Sequence, residues 1–332
     1  MQPERSALTA PATLPLAGPW PAALARLALA SAALFAVTWG EWREMVHQWW
    51  DIDTYSHIVL VPPIMAWLVW LRREELRDIA PSPWLPGIGV VGLGLAVWLA
   101  GSADDTNLIA QGGAVIALQG TVAALLGVRT ALVLAFPGLY AFFLVPFGDE
   151  IVPPLQQITA GIAVALTHLS GVPAEHHALF IDTPAGRFVV AEECSGVKFL
   201  IAMIALGTLV AWTAFRSWKR RGLFLAGAVL ASIIANGVRA WGTIYIAQFI
   251  GAERAGGFDH IVYGWVFFAV LIVGVLAIAW RFFEREPAEA GLTAREADSI
   301  ARRLNAGTIA TGPALALIVA TAFGFAALAR VL

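Results

Sequence analysis

Charge is scarce in this chain. Asp, Glu, Lys and Arg make up 13% of its 332 residues, against roughly 25% in a soluble globular domain. A soluble fold of this size is excluded, because no aqueous core needs so much apolar surface. Cysteine is scarcer still. Cys194 is the single thiol, so an internal disulfide is impossible and that thiol is either a small packing group or a reactive one. An excess of positive charge is also missing. The formal net charge is −2 and the basic residues form short clusters, which argues against a nucleic-acid partner. No His-Glu-x-x-His run occurs, and His168, His176 and His177 fit no zinc spacing, so no metal and no cofactor is expected. The chain shows no internal repeat.

Apolar residues supply 59% of the sequence, the mean hydropathy is +0.75 and there are 14 tryptophans, a residue suited to membrane interfaces. The fold class expected is an all-α polytopic membrane protein with about nine transmembrane helices, each needing about 20 residues to cross the hydrocarbon. The spans are expected near 20–40, 57–71, 84–101, 107–127, 130–147, 196–214, 222–248, 260–282 and 309–330. The first is read as an uncleaved anchor, not a signal peptide. With nine spans, the clusters around Arg72 and Arg73, Arg216 to Arg221, and Arg281 to Arg303 share one side, which the positive-inside rule makes the cytoplasm. The loops at 41–56, 102–106, 148–195 and 249–259 then face outward.

The organisation expected is a disordered tail at 1–19, a transmembrane domain at 20–282, an amphipathic cytoplasmic linker at 283–308 and a last helix at 309–332. The outer loop 148–195 is the one sizeable element outside the membrane on its side. Pro153 and Pro154 open it, residues 155–170 read as an amphipathic or partly buried helix, and 178–190 read as two short strands around the turn Thr183-Pro-Ala-Gly186. This small helix and β-hairpin element leads into Glu192, Glu193, Cys194, Ser195 and Gly196.

Polar groups at or within a membrane span are functional candidates by default. Cys194 lies at the outer mouth of the sixth span, before a tight Ser-Gly entry into a helix, and a helix N-terminus favours thiolate. Glu193 places a carboxylate beside it, an effect that Arg239 or Lys198 would offset. Arg239 lies about 17 residues, or about 25 Å, along the seventh span, near the outer boundary. Asn236 shares its face three residues earlier and is placed to hold the guanidinium. His260 opens the eighth span, with Asp259 beside it as a capping or interface group. Three residues from three helix ends thus fall at one leaflet. A thiolate, an imidazole and a guanidinium are what acyl transfer needs: a nucleophile, a proton carrier and a group facing the oxyanion.

Four blocks carry a resemblance. They are Glu192-Glu-Cys-Ser-Gly-Val-Lys-Phe-Leu200, Asn236-Gly-Val-Arg-Ala-Trp-Gly242, Asp259-His-Ile-Val-Tyr-Gly-Trp-Val-Phe-Phe268, and the early Tyr55-Ser-His-Ile-Val-Leu-Val-Pro-Pro-Ile64 with Arg72 and Arg73 beyond. In this order over about residues 40–283 the chain resembles the exosortases, bacterial membrane cysteine transpeptidases, and most of all their A subtype without the extra C-terminal periplasmic domain. The resemblance implies Cys194 as nucleophile, His260 as proton carrier and Arg239 as transition-state stabiliser. It implies a bacterial inner membrane location with the site facing the periplasm. It implies secreted protein substrates whose C-terminal tail has a Pro-Glu-Pro motif, a hydrophobic span and a basic cluster, handled among membrane lipids and passed to an acceptor. His57, Arg187, Glu193, Ser195 and Asn236 are the candidate substrate-binding residues, with Arg239 or Arg187 open as the partner of the substrate Glu.

Two other function classes remain open at this level. A transporter would carry polar groups near the bilayer midplane on broken helices, whereas here they gather at one face. An envelope-assembly factor would tolerate loss of the Cys194 thiol.

Overall fold

In a computed structural model, residues 20–104, 106–252, 254–255, 264–304 and 310–330 are described. The expected tail at 1–19, together with Asp259 and His260, lies outside them. Among the described residues seven helices are long and apolar enough to cross a membrane, and an eighth span arises if one bent pair is counted. The chain is an all-α polytopic membrane protein with one small sheet, in two compact units.

The first unit takes the described residues of Met1–Trp39, Arg73–Ala135 and Leu292–Leu332. It contains α1 (Trp20–Val37), α4 (Arg73–Arg77), α5 (Leu85–Ala103), α6 (Asn107–Leu126), α7 (Val128–Val133), α13 (Ala294–Arg303) and α14 (Thr311–Ala329). Lipid supplies no hydrophobic drive between helices, so close approach relies on small residues. Helices α5 and α6 show this directly. A Cβ on Gly94 would lie 2.3 Å from the Ala117 backbone, and one on Gly113 would lie 2.2 Å from that of Trp98. Leu34, Val91, Leu95 and Ile318 fill the remaining core. The linker expected at 283–308 contains α13, which a Thr293–Glu296 capping box starts; Arg129 binds Asp298 at 2.7 Å, and Ala297 is fully buried.

The second unit takes Gly40–Arg72 and Phe136–Gly291. It holds α2 (Trp39–Asp51), a 3₁₀ turn at Asp53–Leu60 that runs into α3 (Val61–Leu71), α8 (Ala135–Tyr140), α9 (Val152–Leu169), α10 (Val197–Ala214), α11 (Trp218–Ile250) and α12 (Gly264–Trp280). Tyr55, Ile58, Phe136, Tyr140, Val197 and Ile201 form its core.

The segment expected as one span at 130–147 is broken. It divides into α7, α8 and a 3₁₀ turn at Ala141–Leu144, and Ala135–Leu144 makes with Asp149–Leu169 a pair bent by 67°. The cause is local. Pro146 cannot donate to a helix, and Gly148 takes φ +118°, where a Cβ would sit 2.5 Å from Ile201. Tyr55 ties the bend down by donating its hydroxyl to Asp149 at 2.6 Å. The loop helix read at 155–170 is α9, the second arm of this pair.

The sheet is antiparallel, ordered β1 (Glu175–His177), β2 (Phe180–Thr183) and β3 (Gly186–Val189). The two strands read around Thr183–Gly186 are β2 and β3, with Thr183 opposite Gly186. The first strand was not anticipated; its polar Glu-His-His sequence is exposed and carries no strand pattern. Ile181, fully buried, anchors the sheet with Ala160, Ala163 and Ile244.

Candidate functional site

The sheet feeds directly into the turn that carries the thiol. Gln156 on α9 donates to the Val190 carbonyl at 2.8 Å, fixing the exit from β3. Residues Glu192–Cys194 then form one 3₁₀ turn, closed by Cys194 N–H to Ala191 O and Ser195 N–H to Glu192 O, both at 3.0 Å. Gly196 follows at φ +85° and is the N-cap residue of α10. No other residue fits there easily, since a Cβ would lie 2.5 Å from the Asn236 side chain in a backbone region that L-residues avoid. Cys194, half-buried, therefore stands two residues before the N-cap of an 18-residue helix whose first N–H groups lack intrahelical partners.

Asn236 of α11 holds this turn by its backbone. Its Nδ2 donates to the Cys194 carbonyl at 3.0 Å and to Thr159 Oγ1 of α9 at 2.9 Å. Thr159 in turn donates to the Ser195 carbonyl at 3.3 Å. Asn236 and Thr159 are both buried. Asn236 Oδ1 accepts from no described residue. The expected contact in which Asn236 holds the Arg239 guanidinium is thus not made; the amide is spent on the Cys194 turn instead.

Arg239 lies one helical turn further along α11 and is only 8% exposed. Its guanidinium sits 5.7 Å from the centroid of Phe199, on the first turns of α10, and Phe199 stacks on Phe268 of α12 at 4.7 Å. An aromatic face beneath a buried guanidinium compensates part of its lost hydration. The Cys turn and the arginine are therefore linked through Asn236 on one side and Phe199 on the other.

Of the other candidates, Ser195 is buried and its Oγ accepts from Val197 N at 3.3 Å, which makes it part of the helix entry. Glu193 is exposed. His57 is half-buried in the 3₁₀ turn, with Nδ1 3.2 Å from Thr54 O. It lies within electrostatic reach of Lys198, whose Nζ binds Asp53 at 2.5 Å. This pair joins the 3₁₀ turn to the first turn of α10. Arg187 is placed on the sheet edge, paired in fork fashion with Asp182 at 2.7 and 3.1 Å and 5.8 Å from the Phe180 ring centroid. The hydrogen bonds from Arg187 hold the Asp182 carboxyl below its usual value, and Asp182 raises Arg187 in return. His168 bonds Ala174 O at 2.7 Å, and no group of three metal-binding side chains occurs among the described residues.

Thr159 and Gln156 escaped the sequence reading. Their signal was present: two polar residues at i and i+3 share the face of α9 that also buries Leu155, Ala160 and Ala163.

The arrangement offers a thiol on a clamped turn at a helix start, with a buried guanidinium nearby along α11. The sequence matches the transmembrane exosortase family over residues 49–277, more than half of the chain. No curated protein and no solved structure matches it.

Proposed function

Because the chain belongs to the transmembrane exosortase family, we propose that it is a cysteine protease-transpeptidase. It cleaves the C-terminal sorting tail of secreted proteins and passes them to an acceptor. The observation that carries this reading is the clamp of Asn236 and Thr159 on the backbone of Cys194 and Ser195. A packing cysteine needs no such fixation, whereas a nucleophile gains from being held at one attack geometry.

In the proposed reaction Cys194 Sγ attacks the scissile carbonyl and forms a C–S bond. Arg239 faces the developing oxyanion. The C–N bond breaks, the leaving amine takes a proton from His260, and a thioester remains on Cys194. The acceptor nucleophile then attacks the thioester, giving its proton to His260 as the C–S bond breaks and the Cys194 thiolate that began the cycle is released. The substrate is a secreted protein whose Pro-Glu-Pro motif precedes a hydrophobic span and a basic cluster. Arg187 is already paired with Asp182, which favours Arg239 as the partner of any substrate carboxylate. The basic clusters at the start of α11 and after α12 favour a cytoplasmic side for those ends. Arg239 lies 19 positions beyond Arg220 on α11, about 28 Å, a separation that supports a site on the opposite, periplasmic side.

The test is processing of a tagged reporter carrying such a tail, in membranes with the wild type, Cys194→Ala or Ser195→Ala. Wild type shortens the reporter and Cys194→Ala does not. Full processing by Cys194→Ala would remove the nucleophile assignment.

A further inference from the structure

A second feature lies along α11 nearer its Trp218 end than the point where Asn236 meets the cysteine turn. Between α11 and α12 there is a cavity of about 550 Å³, within the range of sites that hold small molecules. Phe215, Leu223, Phe224, Ala228, Ile278 and Phe282 line it, and Arg220 is the one charged lining residue among the described residues. The slot exists because α11 presents Gly227 and Ala231 one turn apart towards it. A Cβ on Gly227 would meet nothing within 4 Å.

The level of the rim is marked by aromatic side chains. Trp218 and Trp280 are each 74% exposed, as expected of residues anchored at a membrane–water interface. Arg221 is stacked between Trp212 and Trp218, at 4.4 and 4.6 Å. Around the rim the charge is positive in excess: residues 216–221 and 281–289 carry six Lys or Arg against three Glu. Arg220 binds Glu284 at 2.7 Å, which uses part of a guanidinium that has five donors and is 56% exposed. An apolar slot below a cationic, tryptophan-marked rim matches one amphiphile.

We propose that this slot is a binding site for an anionic phospholipid, with an acyl chain between α11 and α12 and the headgroup phosphate on Arg220. Basic recesses between transmembrane helices on the cytoplasmic side select anionic headgroups in this way. The proposal does not rest on the enzymatic reading, since nothing in it involves Cys194.

The experiment uses the full chain, extracted from membranes of mixed phosphatidylglycerol and phosphatidylethanolamine, with retained lipids counted by native mass spectrometry. Wild type retains phosphatidylglycerol above its bulk share, on the order of fivefold for one added basic contact. Gly227→Phe and Ala231→Phe plug the slot and return retention to the bulk ratio. Arg220→Gln does the same for headgroup selection, while Arg220→Lys preserves it. Retention at the bulk ratio by wild type overturns the proposal. So does enrichment that survives both plugging substitutions, and so does loss of reporter processing in the plugged variants with lipid retention unchanged, which would assign the slot to the substrate tail.

Discussion

Asn236 donates its side-chain amide to the carbonyl of Cys194 at 3.0 Å across 42 positions of sequence. The bond reaches the backbone of the cysteine and leaves its sulfur unengaged by that amide. On the proposed function Asn236 acts as a positioning residue. Asn236→Ala should lower the rate of reporter processing by about 10²-fold, the scale of a misplaced reacting group, with little change in KM. It also leaves the Cys194 carbonyl without this donor, a loss of about 1–3 kcal/mol. Thermal unfolding of the purified protein reads that part separately.

Thr159 separates the hydroxyl from the methyl cleanly. Thr159→Val keeps the shape but removes both the acceptor used by Asn236 and the donor to Ser195 O. Processing should fall at least roughly tenfold, the scale of one hydrogen bond of about 1.5 kcal/mol, since two are lost. Thr159→Ser should restore most of it, and an equal loss in both variants would contradict the hydroxyl's role.

Arg239→Lys should fail as Arg239→Ala does, with kcat reduced about 10²-fold or more. Lysine keeps the charge but loses the planar group that lies over Phe199 and its fixed fork of donors. Activity near wild type in Arg239→Lys would show that charge alone suffices.

The sheet has its own acid sensitivity. Arg187 depresses the Asp182 carboxyl, so the pair supports the β2–β3 hairpin at all pH above the ordinary carboxylate range, near 3.9. That support is lost as the pH falls through the depressed value. The protection factors of the Phe188 and Val190 amides should stay flat from neutral pH down to about 4, then fall relative to an Asp182→Asn control. A fall centred near neutrality would contradict the pairing.

Much of the fold was legible because lipid imposes a simple rule, about 20 apolar residues per span. The helices around Leu95, Ala117 and Ile201 fall where that rule puts them. The break after Leu144 was less legible, because its apolar side chains score as a span whether or not Pro146 and Gly148 interrupt the backbone. The candidate site was legible where chemistry marks it: Cys194 and Arg239 are polar groups out of place. Thr159 was hidden, since its hydroxyl matters only once α9 meets α11 and the Cys turn. The same folding reassigned Asn236 from the arginine to the cysteine, a choice that sequence spacing along one helix does not reveal.

The central claim is that Cys194 forms the covalent bond to substrate. It is tested most directly by mixing the protein with a Pro-Glu-Pro tailed substrate, quenching in acid and locating the adduct by mass. The expected result is the N-terminal product in thioester linkage on the peptide containing Cys194, released by hydroxylamine and missing in Cys194→Ala. Cleaved substrate with no adduct in the wild type, or an adduct that persists in Cys194→Ala, would contradict the account.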